Sequence, residues 1–414
     1  MQEQSASHAT FIQLAHAHAP LDESVLTQLS VGLDSLTDFW RDRYLREYIP
    51  AGGSKIKFIT GQSGSGKTHL LRLLSILAKD EEMVVVSFSA KNVWLHDFRE
   101  IYLEILQQSK ILHLLERCAH KVVEQMGFDW REIPVNTTFI DYLFQIGLAD
   151  GITKREIRLQ LKEMFLDNPL MDNNFALACS LLCGGILGHP FLEEQSRQLL
   201  LSFLHGHKEV KLPALRPLGI STSQITKFNA RHMLRSLSEL VRLSGYKGLF
   251  IAVDNLEVLS DKSSLNALHY TKMRRDDTYE SIRQLIDDID TLRSIMFVFA
   301  FDRVLIDNDT AGMKSYQALW MRIQNEVVSS RINYFIDLLD LDVLSRELYT
   351  PQIIMQMSEK LAKVVQSIDV NSQCIDESRA KEIMDLASFG NIAIPRLVNQ
   401  ATLLQLAKEE TDNV

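Results

Sequence analysis

The segment Gly61-Gln-Ser-Gly-Ser-Gly66-Lys67-Thr68 constrains this chain more than any other stretch. The spacing Gly-x4-Gly-Lys-Thr falls between an apolar strand pattern, Ile56 to Thr60, and an apolar-periodic helix pattern, His69 to Leu77. Glycines let a backbone curl around an anion, and the N–H groups that open a helix present the positive end of its dipole. The pattern predicts that Gly61, Gln62, Ser63, Gly64, Ser65, Gly66, Lys67, Thr68 and His69 wrap the phosphates of ATP. Lys67 is expected to reach the β- and γ-phosphates, and the Thr68 hydroxyl to ligate Mg2+.

A site of this kind needs a second half, and one strand pattern offers it. Gly248-Leu-Phe-Ile-Ala-Val253 runs into Asp254-Asn255-Leu256-Glu257, which places Asp254 at a strand end, where it is expected to hold the magnesium. Asn255 follows directly; an amide orients water but cannot accept its proton at neutral pH. Glu257 then either supplies the catalytic carboxylate or is a solvated residue of a first helical turn. After a further strand pattern, Ser294 to Ala300, Asp302 is placed either to sense the γ-phosphate or to cap a helix.

Five short apolar runs bounded by turn residues read as strands: Ile56 to Thr60, Met83 to Phe88, Gly248 to Val253, Ser294 to Ala300 and Ile332 to Ile336. Their nearly continuous apolar character suits strands covered on both faces, and the helical patterns between them predict an α/β fold with a parallel sheet. A helical insertion is expected at about 91–240, with amphipathic segments at Phe98 to Leu106 and Phe228 to Leu243. The expected layout is an N-terminal extension over 1–29, a nucleotide-binding core over 30–341 and a C-terminal helical lid over 342–414. Arg322 and Arg331, ahead of the fifth strand pattern, are candidates for an arginine finger offered to a neighbouring subunit. Arg396, just inside a helix start after Pro395, is the candidate to fold back onto the γ-phosphate.

Composition narrows the class further. Lys plus Arg number 44 against 53 Asp plus Glu, a net charge of -9, which argues against a surface built for tight nonspecific DNA binding. Local basic clusters remain: Lys272, Arg274 and Arg275; Lys227, Arg231 and Arg235; and Lys154, Arg155, Arg158 and Lys162. Four scattered cysteines form no disulfide framework, and Cys179 and Cys183, one helical turn apart, read as core thiols. The first residues, Met-Gln-Glu-Gln-Ser, lack the basic and apolar regions of a signal peptide, and no apolar run reaches a membrane span. These features predict a cytoplasmic protein with no membrane association.

Together the phosphate loop, the Asp254 strand, the Arg322 and Arg331 positions and Arg396 resemble the AAA+ superfamily, especially its initiator-like branch. Ser30-Val-Gly32-Leu-Asp-Ser-Leu36 is similar to the segment that packs against adenine there. Within the superfamily the chain resembles the ATP-binding proteins of BREX-type bacteriophage-defence systems, BrxD-like. The resemblance runs through Phe58 to Leu74, Asn174 to Gly185, Leu218 to Leu259 with its Gly245-Tyr-Lys-Gly248 lead-in, and Ser315 to Leu319 with Arg322. It departs at Asn255, where the family usually carries Glu after the strand-end Asp. The resemblance implies an oligomeric, DNA-associated ATPase working with a helicase, methyltransferase or nuclease of the same system. A weakly hydrolysing nucleotide-gated scaffold that recruits an effector, or a target-selecting ATPase of a mobile element, stand as alternatives.

Overall fold

Aromatic and β-branched residues dominate the central sheet, and their alternation decides which layer each side chain enters. The computed structural model describes residues 22–222, 224–260, 267–324, 333–366, 372–389 and 392–403. Its sheet contains β1 (Ser54–Gly61), β2 (Val84–Ser89), β3 (Leu249–Asp254), β4 (Ile295–Asp302) and β5 (Leu338–Asp340), in the order β2-β3-β4-β1-β5. All four pairings are parallel. Successive side chains of a strand point to opposite faces. Ile56 and Phe58 of β1, Ile251 and Val253 of β3, and Phe297, Phe299 and Phe301 of β4 therefore enter one core. Ile59, Phe250, Ala252, Met296, Val298 and Ala300 enter the other. The first core includes the Phe58 ring stacked on Phe299 at 5.4 Å. Truncating either ring to Ala would cost about 3–5 kcal/mol.

The first face is covered by the helices between β2 and β3, and every regular element described there is helical. Phe98–Gln108, Ile111–Gln125, Asn173–Leu187 and Ala230–Leu243 supply most of its apolar surface. Cys118, Cys179 and Cys183 are buried within it, in keeping with core thiols, and burial raises all three pKa values. The second face carries the helix Lys67–Asp80 and the N-terminal helix Asp34–Trp40 with its continuation Arg41–Tyr48.

The fifth strand does not lie at Ile332 to Ile336. Ile332 falls outside the described residues, and Asn333 to Ile336 form a turn before β5 begins at Leu338. The apolar signal in this segment comes from packing, not from pairing. Tyr334 and Phe335 lie against Phe39 with ring centroids 5.5 and 4.7 Å away. The Phe335 and Ile336 carbonyls accept from the fully buried Lys57 ammonium at 2.7 and 2.6 Å. Helix Ala230–Leu243 also starts later than Phe228, which is exposed beside a turn.

C-terminal to β5, helix Leu341–Leu348 packs on the second core through Leu341 and Leu344, and helices Pro351–Gln366, Glu377–Phe389 and Ile394–Thr402 form a helical cap with its own core around Ile354, Ile375, Ile383 and Val398. The helix Glu23–Leu29 joins it, with Val25 and Leu29 packed against Leu361, Val364, Val365 and Leu403. Among the described residues no helix is long and apolar enough to cross a membrane.

Candidate nucleotide site

The parallel register brings the functional strand ends to one edge. Gly61 at the end of β1 lies beside Asp302 at the end of β4, and Asp254 ends β3 next to Ser89. Loops leaving the carboxyl ends of parallel strands are where such sheets bind ligands. A cleft of about 770 Å³ opens here, reaching from the phosphate loop to the helical cap.

The loop after β1 needs two left-handed residues. Gly64 and Gly66 adopt φ of +82° and +95°, which side-chain-bearing residues disfavour. Gly66 caps the helix Lys67–Asp80, so the first N–H groups of that helix face the cleft. The Lys67 ammonium donates to the Gly61 and Gln62 carbonyls at 2.9 and 2.7 Å and stands 3.5 Å from Asp302. Thr68 donates its hydroxyl to Asp254 at 2.7 Å. A hydroxyl and a carboxylate held together at a helix start are the oxygen donors a magnesium ion with nucleotide phosphates takes. The donor set fits the metal.

Asn255 takes a left-handed conformation, φ +61°, which Asn tolerates better than most residues. Its carbonyl oxygen accepts from Ser89 at 2.9 Å, and its amide donates to Glu257 at 3.3 Å. The second oxygen of Glu257 accepts from the Asp302 backbone N–H at 3.1 Å. Glu257 therefore spans the ends of β3 and β4 inside the cleft, half-buried in the first turn of the short helix Leu256–Leu259. One oxygen of Asp302 accepts from Val304 N–H at the start of a short helix, and the other faces Lys67.

Arg396 of the cap packs directly on the loop. A Cβ placed on Gly64 would stand 2.8 Å from Arg396 Cβ and 3.0 Å from its Cδ. Leu29, Val31, Leu33, Leu348 and Tyr349 give the cleft an apolar wall. Val31 and Leu33 bring the Ser30 to Leu36 segment to the cleft wall. His69 lines the same cleft. Its Nε2 lies 2.7 Å from Ser30 Oγ, which also lies 2.9 Å from the Leu26 carbonyl. Burial, reinforced by the Arg72 guanidinium, pushes this imidazole down to about 4.

The arginine candidates divide. Arg322 does not reach its own cleft; it forms a two-pronged pair with Asp287 at 2.5 and 3.0 Å. Arg331 lies outside the described residues. Of the basic clusters, two serve intramolecular contacts. Arg274 covers the Trp94 ring at 4.4 Å, and Arg275 is buried beside Asp276. Arg231 pairs with Asp288 at 3.2 Å, Arg235 donates to the Leu170 carbonyl at 3.1 Å, and Lys227 lies over the Phe228 ring. The third cluster lies on helix Gly151–Leu161, where Arg155 and Arg158 are exposed and Lys162 just beyond pairs with Asp167.

Several residues in and behind the cleft escaped the sequence reading. Arg72 lines the cleft, and its place four residues after Thr68, on one helix face, was a usable signal. Asp342 and Arg303 had none. Asp342 accepts the Gln62 backbone N–H with both oxygens, at 3.1 and 2.9 Å. Arg303 bridges Asp340 and Asp342 at 2.8 and 3.1 Å. Burial raises the Asp340 carboxyl, with Arg303 opposing it.

The family model of the BREX system ATP-binding protein BrxC/D matches residues 23–398 of the chain, and the chain belongs to that family. No curated protein and no solved structure matches it.

Proposed function

We propose that this BREX-family protein binds Mg-ATP in the cleft and acts as an AAA+-type ATPase that couples nucleotide state to a partner in phage defence. The observation that carries the reading is the convergence of Lys67, Thr68, Asp254, Glu257, Asp302 and Arg396 on one cleft. In this reading Lys67 exchanges its loop carbonyls for phosphate oxygens, and Thr68 with Asp254 holds the magnesium. Arg396 senses the γ-phosphate from the cap. Glu257 orients and deprotonates the attacking water, with Asn255 holding the carboxylate in place.

The strand order β2-β3-β4-β1-β5 with a helical cap after β5 supports the AAA+ assignment. We further assign a homo-oligomer in which Arg331 or Arg322 reaches a neighbour's γ-phosphate; for Arg322 this requires exchange of its Asp287 pair. We assign DNA contact to the exposed Arg155 and Arg158 face, since Arg231, Arg235, Arg274 and Arg275 of the other clusters each engage a neighbouring group of the chain. A helicase, methyltransferase or nuclease of the same system is the expected protein partner, and the cytoplasm the expected compartment.

Titration of the purified protein with a fluorescent ATP analogue, with and without Mg2+, tests the core of this reading. Binding should require the metal and be lost in Lys67→Ala; equal affinity in that variant would overturn it. A second reading, a nucleotide-gated scaffold with slow turnover, is favoured by Asn255, since no carboxylate directly follows Asp254.

A further inference from the structure

The phosphate loop is held from outside by a charged knot that nucleotide contacts alone do not account for. Asp342 sits at the start of helix Leu341–Leu348, whose side chains line the cleft, and both its oxygens accept the Gln62 N–H. Asp340, which ends β5, caps the same helix by accepting from the Asp342 and Val343 N–H groups at 3.0 and 3.4 Å. Two carboxylates thus stand beside a loop built for the most highly charged part of ATP. Arg303 bridges them with one nitrogen, while its own backbone N–H donates to the Gly61 carbonyl at 3.0 Å. Loop, β4 end, β5 end and cleft-lining helix meet at this point.

We propose that Asp342 is a positioning residue that fixes the entry of the phosphate loop, and that Arg303 acts as its charge shield, keeping Asp340 and Asp342 from repelling the nucleotide phosphates. Arg303 directly follows Asp302, yet it turns toward β5 and not toward Lys67. Its role is therefore exerted through the carboxylates. The two carboxylates are largely removed from water, with the Asp342 and Asp340 side chains 13% and 22% exposed, while Arg303 at 37% keeps one side to solvent. Unpaired charge in such surroundings is felt at several ångströms. This proposal rests on the nucleotide reading above.

The test compares Mg-ATP and Mg-ADP affinity, by fluorescent-analogue titration, in wild type, Arg303→Gln, Asp342→Asn, Asp342→Ala and the double variant Arg303→Gln/Asp342→Asn. Thermal melting of each serves as the control for folding. Arg303→Gln should weaken Mg-ATP binding about tenfold or more, and Mg-ADP less, because the triphosphate carries more charge. The double variant should recover most of that loss, and Asp342→Asn, which keeps an acceptor for Gln62 N–H, should bind better than Asp342→Ala. Rescue in affinity without a matching rise in melting temperature separates shielding from a merely structural role. A double variant as weak as Arg303→Gln, or wild-type affinity in Arg303→Gln, overturns the proposal. Absence of Mg-ATP binding by the wild type overturns the nucleotide reading itself, and this proposal with it.

Discussion

Arg396 of the helical cap lies against Gly64 of the phosphate loop so closely that no side chain fits between them. The contact joins two parts of the chain separated by more than 300 positions. It ties the cap to the loop by direct packing.

That relationship separates two glycines. Gly64→Ala should strain the backbone by about 1–2 kcal/mol and also collide with Arg396. Gly66→Ala carries similar strain, but a Cβ there meets nothing within 4 Å. Hydrogen exchange without nucleotide should therefore rise in helix Ile394–Thr402 only for Gly64→Ala. Equal protection in both variants would refute the coupling.

The carboxylate assignment predicts an ordered loss of turnover. Glu257→Gln should lower phosphate release about a hundredfold or more while leaving Mg-ATP affinity within a few fold. Asn255→Ala, which removes one hydrogen bond to Glu257, should lose less. Equal rates in wild type and Glu257→Gln would favour the slow scaffold. Asn255→Gly should be better tolerated than Asn255→Ala in melting temperature, because position 255 is left-handed.

His69 predicts an acid-side loss of stability. Its folded pKa of about 4 lies below the ordinary imidazole value of 6.5, so the unfolded chain takes up a proton that the folded chain refuses. Stability should fall as pH drops from 6.5 toward 4, by up to about 3 kcal/mol, and the slope from this group should vanish below 4. Urea midpoints at pH 7 and 5 check this: His69→Gln should show a flatter dependence, and parallel slopes would count against it.

Lys57 predicts the opposite side of the pH scale. Burial pushes its ammonium down to about 8, although Asp337 opposes the shift. Between pH 8 and 10.5 the unfolded chain keeps a proton that the folded chain releases, so this group's contribution to stability rises with pH. Lys57→Met should lose that rise. At pH 7 it should cost about 1–3 kcal/mol, because the Phe335 and Ile336 carbonyls lose their donor. A variant at least as stable as wild type at pH 7 would show that those carbonyls find other partners.

Much of the site was legible before folding. Gly61 to Thr68 is a local device whose spacing, flanking strand and following helix all lie within about twenty residues, so the chain's own geometry dictates it. Asp254 was legible for the same reason, as the polar end of an apolar strand, and Arg396 from a helix start marked by Pro395. The fifth strand was misplaced because apolar residues pack equally well on a neighbouring ring and in a sheet; Tyr334 and Phe335 chose Phe39. Arg303, Asp340 and Asp342 carried no signal, since an ion pair between strand ends leaves no periodicity in the sequence.

By itself, then, the sequence determined the phosphate loop, the strand-end Asp254 and the α/β class, because each depends on neighbours along the chain. Only the tertiary structure decided that Glu257 is tied between β3 and β4, that Arg322 is held by Asp287, and that Asp342 grips the loop. Those outcomes depend on strand order and register. The physical reason is that hydrogen bonds and charge pairs act over a few ångströms of space, and parallel pairing of distant strands sets which residues come that close.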